Sequence, residues 1–275
     1  MDDLLYHYTT QEGLLGIARS GGFWATKIQF LNDKSEFALA FDDAAYALRQ
    51  ARKAEPSIER DFIDYLLEFL PRYSRLNVFV VCFSQEGNLL SQWRAYGGNG
   101  IGYSIGIRRS TLEAIGTKQG FVLQRCVYDP SERAKIMTQL VKRTLMAFGK
   151  AVSEPAFDPV EFREREAHQL SGDISSLSPI FKDHAFWEER EWRLIGRIPT
   201  NDPRAFSRPG RLGIIPTCRL DFRGENEKMK VHQLIQGPAP NAELAFEGLS
   251  WFRSNPDNRL SIDASKPSYI PFRQT

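Results

Sequence analysis

Leu4-Leu5-Tyr6-His7-Tyr8-Thr9-Thr10, then Gly13-Leu14-Leu15-Gly16-Ile17 and Gly21-Gly22-Phe23-Trp24, is the stretch that decides the architecture. Leu4 to Tyr8 reads as a strand. On it Leu5, His7 and Thr9 share one face, and Tyr6 and Tyr8 share the other. Thr9 or Thr10 is placed to cap a helix from Thr10 to Ala18 whose apolar residues fall on one side. Gly21-Gly22 stops that helix, and Phe23 to Ile28 begins a second strand. The result is a strand-helix-strand unit presenting one imidazole, that of His7, amid apolar neighbours.

Outward from this unit, Phe30-Leu31-Asn32-Asp33 reads as a turn. Ser35 to Lys53 and Ser57 to Arg72 carry helical periodicity, with Pro56 between them. Asn77 to Phe83 is a continuous β-branched and aromatic run, as expected of a strand buried on both faces. A polar turn at Ser84 to Asn88 leads to a short helix at Leu89 to Tyr96. Glycine-rich Gly97 to Gly102 follows, then strands at Tyr103 to Ile107 and Phe121 to Tyr128. Ser131 to Val152 and Val160 to Leu170 read as helices ended by a serine-rich break at Ser171 to Ser178. Later strands fall at Glu191 to Ile198, Leu212 to Pro216, Arg219 to Phe222, Val231 to Gln236 and Leu260 to Ile262, with a helix from Asn241 to Arg253. The pattern predicts one α+β domain over 1–275. It has a mixed, mainly antiparallel sheet, flanking helices and a helical insert at 131–183.

With 275 residues and 42% hydrophobic content, the chain can bury a full core. A net charge of +2 supplies no bulk field for nucleic acid or an anionic membrane. Cys82, Cys126 and Cys218 are odd in number and widely spaced, which suggests neither a disulfide framework nor a zinc ribbon. No metal site is expected. The N-terminal residues lack a signal-peptide pattern, and no run is long enough to span a bilayer. A reducing cytoplasmic setting is the expectation.

Three clusters could carry chemistry. His7 can bond a ribose hydroxyl while neutral, or it can be a structural histidine bonded to backbone. Ser91-Gln92-Trp93-Arg94-Ala95-Tyr96 sets aromatic planes beside an arginine, which can stack a flat ring and pair a phosphate. The plain alternative is a helix packed by Trp93. In Glu188-Glu189-Arg190-Glu191-Trp192-Arg193, a strand would put Glu189, Glu191 and Arg193 on one face. Two such carboxylates could bond a ribose hydroxyl and stabilise an oxocarbenium ion. Otherwise they form a charge cluster with ion pairs worth little.

These residues also carry a resemblance. Tyr6-His7-Tyr8-Thr9, Leu31-Asn32-Asp33, Cys82-Phe83-Ser84, Leu90 to Gly97, Glu188 to Leu194, Gly237-Pro238 and the closing Ser265 to Tyr269 resemble the bacterial family called domain of unknown function 2971. The opening alone is similar to ADP-ribosyltransferases and RNA 2′-phosphotransferases. That likeness implies an NAD site in which His7 and Thr9 hold the adenosine ribose. Ser91 falls where some such enzymes keep a serine at a strand edge, although here it is on a helix. Arg94 would pair the pyrophosphate, and Trp93 or Tyr96 would support the nicotinamide. Glu191, with Glu189, would be catalytic.

The expectation is therefore an NAD-dependent mono-ADP-ribosyltransferase or NAD-cleaving enzyme, suited to a bacterial defence or toxin effector, with a protein or nucleic-acid acceptor. The rival is a non-catalytic nucleotide- or nucleic-acid-binding module in which the carboxylates only fix Arg190 and Arg193. A hydrolase using Glu189 and Glu191 as acid and base is a third reading. The transferase reading requires His7 and Glu191 to open into one cleft.

Overall fold

The computed structural model describes residues 3–31, 35–54, 57–70, 77–98, 101–210, 213–224 and 226–271. The expected turn at Asn32-Asp33, Pro56 and part of the glycine-rich stretch, Asn99-Gly100, lie outside them. The architecture is α+β: an open, mainly antiparallel sheet with flanking helices. The chain forms two compact units. One is a sheet unit of Met1–Phe30, Val78–Arg125 and Glu188–Thr275; the other is a helical unit of Leu31–Asn77 and Cys126–Trp187.

In the sheet unit, β1 (Leu4–Thr9) is followed by α1 (Gln11–Ser20) and β2 (Gly22–Lys27). The Thr10 hydroxyl accepts from the Gly13 amide at 3.1 Å and caps α1. Gly21, at φ 68°, supplies the left-handed turn that ends it. Then come β3 (Val78–Ser84), α4 (Leu90–Tyr96), β4 (Tyr103–Arg108), α5 (Arg109–Lys118) and β5 (Phe121–Arg125). The late segment adds β6 (Glu191–Arg197), β7 (Ala205–Gly210), β8 (Gly213–Asp221), β9 (Met229–Gln236), α8 (Ala242–Ser254) and β10 (Leu260–Pro267). Strand order is β10-β9-β4-β1-β3-β2-β8-β7, with β6 joining β3 to β5. Only the β9–β10 pair is parallel among the described strand pairs.

β3 is the hub. One edge pairs with β6 along its whole length; the other is shared by β1, at Tyr6↔Ser84, and β2, at Thr26↔Val80 and Lys27↔Phe79. The sheet therefore forks at Val81 to Phe83. One face of it carries the main core: Leu5, Phe23, Val81, Phe83, Ile105, Phe121 and Leu194, packed by Leu14 and Ile17 of α1, Leu112 of α5 and Leu249 of α8.

The helical unit is built from α2 (Ser35–Ala54), α3 (Ser57–Phe69), α6 (Pro130–Ala151) and α7 (Pro159–Leu177). The expected insert at 131–183 falls within it and shares one core with α2 and α3. Phe62 and Phe148 stack at 4.5 Å in that core. Asp129 and Asp158 cap α6 and α7, each with proline in the first turn, where a missing N–H costs nothing. The buried Arg133 guanidinium pairs with Asp43 through Nε and bonds the Tyr128 and Lys182 carbonyls through NH1, so its charge is answered inside the unit.

Three sequence expectations change. The serine-rich stretch does not break the helix: α7 runs to Leu177, and the Ser175 and Ser176 hydroxyls donate to the Ser171 and Gly172 carbonyls four residues back. The strands expected at Leu212 to Pro216 and Arg219 to Phe222 are one strand, β8, with Pro216 opposite Ser207 of the short partner β7. α5 and β7 had no counterpart in the sequence reading.

Candidate functional site

Register decides which candidate residues can meet. In antiparallel pairs, directly opposed residues point to the same face. Tyr6 opposes Ser84, and Ser84 opposes Glu191. Tyr6, Ser84 and Glu191 therefore share one face, and His7, one step along β1, faces the other. Packing agrees. The His7 ring lies against Phe23 (5.1 Å) and Phe83 (5.8 Å), whereas Glu191 faces away from its own neighbours Trp192 and Leu194, which pack with Phe83 in the main core. This corrects the expectation of a common cleft: the imidazole and the acid lie on opposite sides of the sheet.

His7 closes the fork between β1 and β2. Its Nδ1 is 2.9 Å from the Cys82 carbonyl of β3. A carbonyl only accepts, so Nδ1 carries the proton and the neutral ring keeps its lone pair on Nε2. Burial lowers the imidazole pKa from its ordinary value, and the Cys82 bond opposes this in part. A histidine that folds with a lowered pKa binds fewer protons folded than unfolded. Stability is therefore highest above 6.5 and falls as pH drops below it. His7→Gln can keep a donor to Cys82 without the titration. Its urea midpoint should lose less between pH 7 and pH 5 than the parent's; parallel pH profiles would show that His7 is not desolvated.

Thr9 shares the His7 face, with α1 starting against it: a Cβ on Gly13 would stand 1.9 Å from the Thr9 hydroxyl. The aromatic candidates are on the Glu191 side. Trp93 is buried edge-on against Tyr8 (4.7 Å) and donates its indole N–H to Asn88 Oδ1, which also accepts from the Ser268 hydroxyl. With Tyr6, Tyr96, Ile235 and Ile270 it forms a satellite core. A buried Trp93 is packing and not an open stacking platform. The Tyr8 hydroxyl accepts from the Leu89 amide and donates to the Glu86 carbonyl. Burial raises the Tyr8 pKa well above 10. Ser91 and Arg94 are exposed on α4.

The paired-carboxylate arrangement also needs correction. Glu189 is not on the strand. It ends a 3-10 turn, His184–Glu189, and Arg190 at φ 43° breaks the alternation before β6 begins at Glu191. Glu191 instead holds Arg193, two residues along the same face, with Nε to Oε1 at 2.8 Å and NH2 to Oε2 at 2.9 Å. Side-chain exposures of 1% for Arg193 and 7% for Glu191 make this a buried bidentate pair. The Glu189 backbone carbonyl accepts from the Ser84 hydroxyl, and Arg190 pairs with Glu86 at the surface. Spacing alone joined neither contact, since each links residues more than a hundred positions apart. Among the described residues, no group of three His, Cys, Asp or Glu side chains could hold a metal ion. No helix there is long and apolar enough to cross a membrane.

A family model described as protein of unknown function (DUF2971) matches residues 92–194. The match spans α4 to the start of β6, so it includes most of the Leu90 to Gly97 block and all of the Glu188 to Leu194 block. It supports the resemblance to that family. The likeness of the opening to ADP-ribosyltransferases gains no such support. No curated protein and no solved structure matches the chain.

Proposed function

We propose that this protein is a non-catalytic nucleotide- or nucleic-acid-binding module. One observation carries the non-catalytic part of the reading: the strand-borne candidate acid, Glu191, is buried and neutralised on both oxygens by Arg193. A carboxylate so held has its charge answered already and has little left for a developing oxocarbenium ion. His7 answers a backbone carbonyl at the fork, on the far face. Both groups that a transferase would use therefore have structural work that explains their presence.

The test is a thermal-shift series with NAD, ADP-ribose and nicotinamide, run beside a nicotinamide-release assay. Ligand that binds only the folded state raises the melting temperature by mass action. The expected outcome is a shift with ADP-ribose or NAD and no nicotinamide released over hours. Nicotinamide release by the parent that disappears in a Glu191→Gln variant whose circular dichroism and urea midpoint match the parent's would restore the transferase reading and remove this one.

A further inference from the structure

One wing of the sheet unit carries two arginines, Arg208 and Arg219, that pair with no acid among the described residues. Phe206 of β7 opposes Thr217 of β8, which opposes Thr26 of β2, so the three share a face. Trp24 and Arg219 form the adjacent row on that face, and Arg208 opposes Ile215 in the row beyond. The side chains converge. The Arg219 guanidinium lies over the Phe206 ring at 5.5 Å. Trp24 meets the same ring edge-on at 5.7 Å. Arg208 reaches back to donate to the Thr26 hydroxyl at 3.2 Å.

Most arginines around this wing are answered by acids: Arg204 by Asp202, and Arg223 by Asp221 and Glu227. Arg208 and Arg219 have no acidic partner among the described residues. Arg208 is also half-buried, and that burial lowers its pKa. Its side-chain hydrogen bond is to a hydroxyl, and none of its nitrogens is buried without a partner, so the half-buried guanidinium keeps donors within reach of an incoming acceptor. The indole N–H of Trp24 is buried beside it and lacks a partner. The far edge of that indole rests on Gly16, where a Cβ would come within 2.7 Å, so the ring is held in place.

Planar guanidinium forks suit phosphate oxygens, and an aromatic flanked by them suits a base. Arg219 is exposed and Phe206 and Trp24 are partly so, while Thr26 and Thr217 between them are buried. Two arginines set either side of an aromatic along the β7–β8 pair suit a strand, which brings successive phosphates with a base between them. We infer that the β2–β8–β7 face binds single-stranded nucleic acid, with Arg208 and Arg219 on phosphates and Phe206 under a base. This rests on the binding-module reading and names its surface and ligand. A free nucleotide offers the same chemistry in one unit, so the experiment separates the two.

The experiment uses the full chain and a fluorescein-labelled 20-nucleotide oligothymidylate, followed by anisotropy across a salt series, with the corresponding duplex and thymidine monophosphate as competitors. Phe206→Ala should weaken binding by about ten-fold. Arg208→Ala and Arg219→Ala should each flatten the log K against log salt slope by about 0.7. Arg165→Ala, a surface arginine of the helical unit, should change neither. Circular dichroism checks that each variant is folded. Binding that survives in all three face variants overturns the assignment of this face and leaves the module reading standing. Duplex that competes as well as single strand overturns the ligand. Competition by the monophosphate, with no extra affinity for the strand, assigns the face to a nucleotide instead. An oligonucleotide that does not bind, beside a positive thermal shift with ADP-ribose, sinks this inference alone; failure of both probes sinks both.

Discussion

Arg193→Met should lower the unfolding free energy of the sheet unit by about 3–5 kcal/mol, the cost of stranding a buried charge. Glu191 would keep its carboxylate at a site 7% exposed, with both former donors gone. Four of the five tryptophans, Trp24, Trp93, Trp192 and Trp251, lie in this unit and Trp187 in the helical one, so tryptophan fluorescence in urea follows mainly the sheet unit. The double variant Glu191→Leu with Arg193→Met supplies the other half of the argument. Replacing both members of a buried pair by apolar groups is often neutral or stabilising. The double variant should recover most of what the single one loses. Equal midpoints for the parent and Arg193→Met would show that the pair is solvated, and the structural account of Glu191 would fail. The result bears on function, because an acid required for folding cannot be assigned to catalysis from lost activity alone.

The sequence made individual elements legible where local signals agree. Thr10 as a cap, the one-sided apolar pattern to Ile17 and the left-handed Gly21 mark out α1. The run Val78 to Phe83 announces a central strand, and β3 is the hub of the sheet. What could not be read was the relation between strands. Alternation says that His7 opposes Tyr6 in direction, and that Glu191 opposes Trp192. It does not say which face of β1 lies beside which face of β6. That parity is set through β3 by Tyr6↔Ser84↔Glu191, two pairings between residues far apart in the chain. Glu189 was misplaced for a local reason, since a positive φ at Arg190 interrupts the period of two and nothing in Glu-Glu-Arg-Glu signals it. The Arg208 and Phe206 face stayed hidden because Ala-Phe-Ser-Arg-Pro-Gly reads as a loop. Only its pairing to β8 makes it a strand.

Phe23→Ala should cost about 3–5 kcal/mol, the range for truncating a buried aromatic. Phe23 is fully buried and stands at the centre of an edge-to-face group, 5.1 Å from His7, 5.3 Å from Phe83 and 5.2 Å from Phe222. Phe23→Leu keeps much of the volume and should cost less than about 1.5 kcal/mol. The pair of variants therefore separates cavity formation from loss of ring contacts. A second readout tests what the group does for His7. Phe23 is one of the two phenyl rings that desolvate the imidazole at the fork. Opening that side to water should return the His7 pKa toward 6.5 and flatten the loss of stability as pH falls below that value. The phenyls around the imidazole and the carbonyl at its Nδ1 together account for the lowered pKa. A destabilised Phe23→Ala whose acid limb stays as steep as the parent's would separate the two effects and leave the low His7 pKa without its cause.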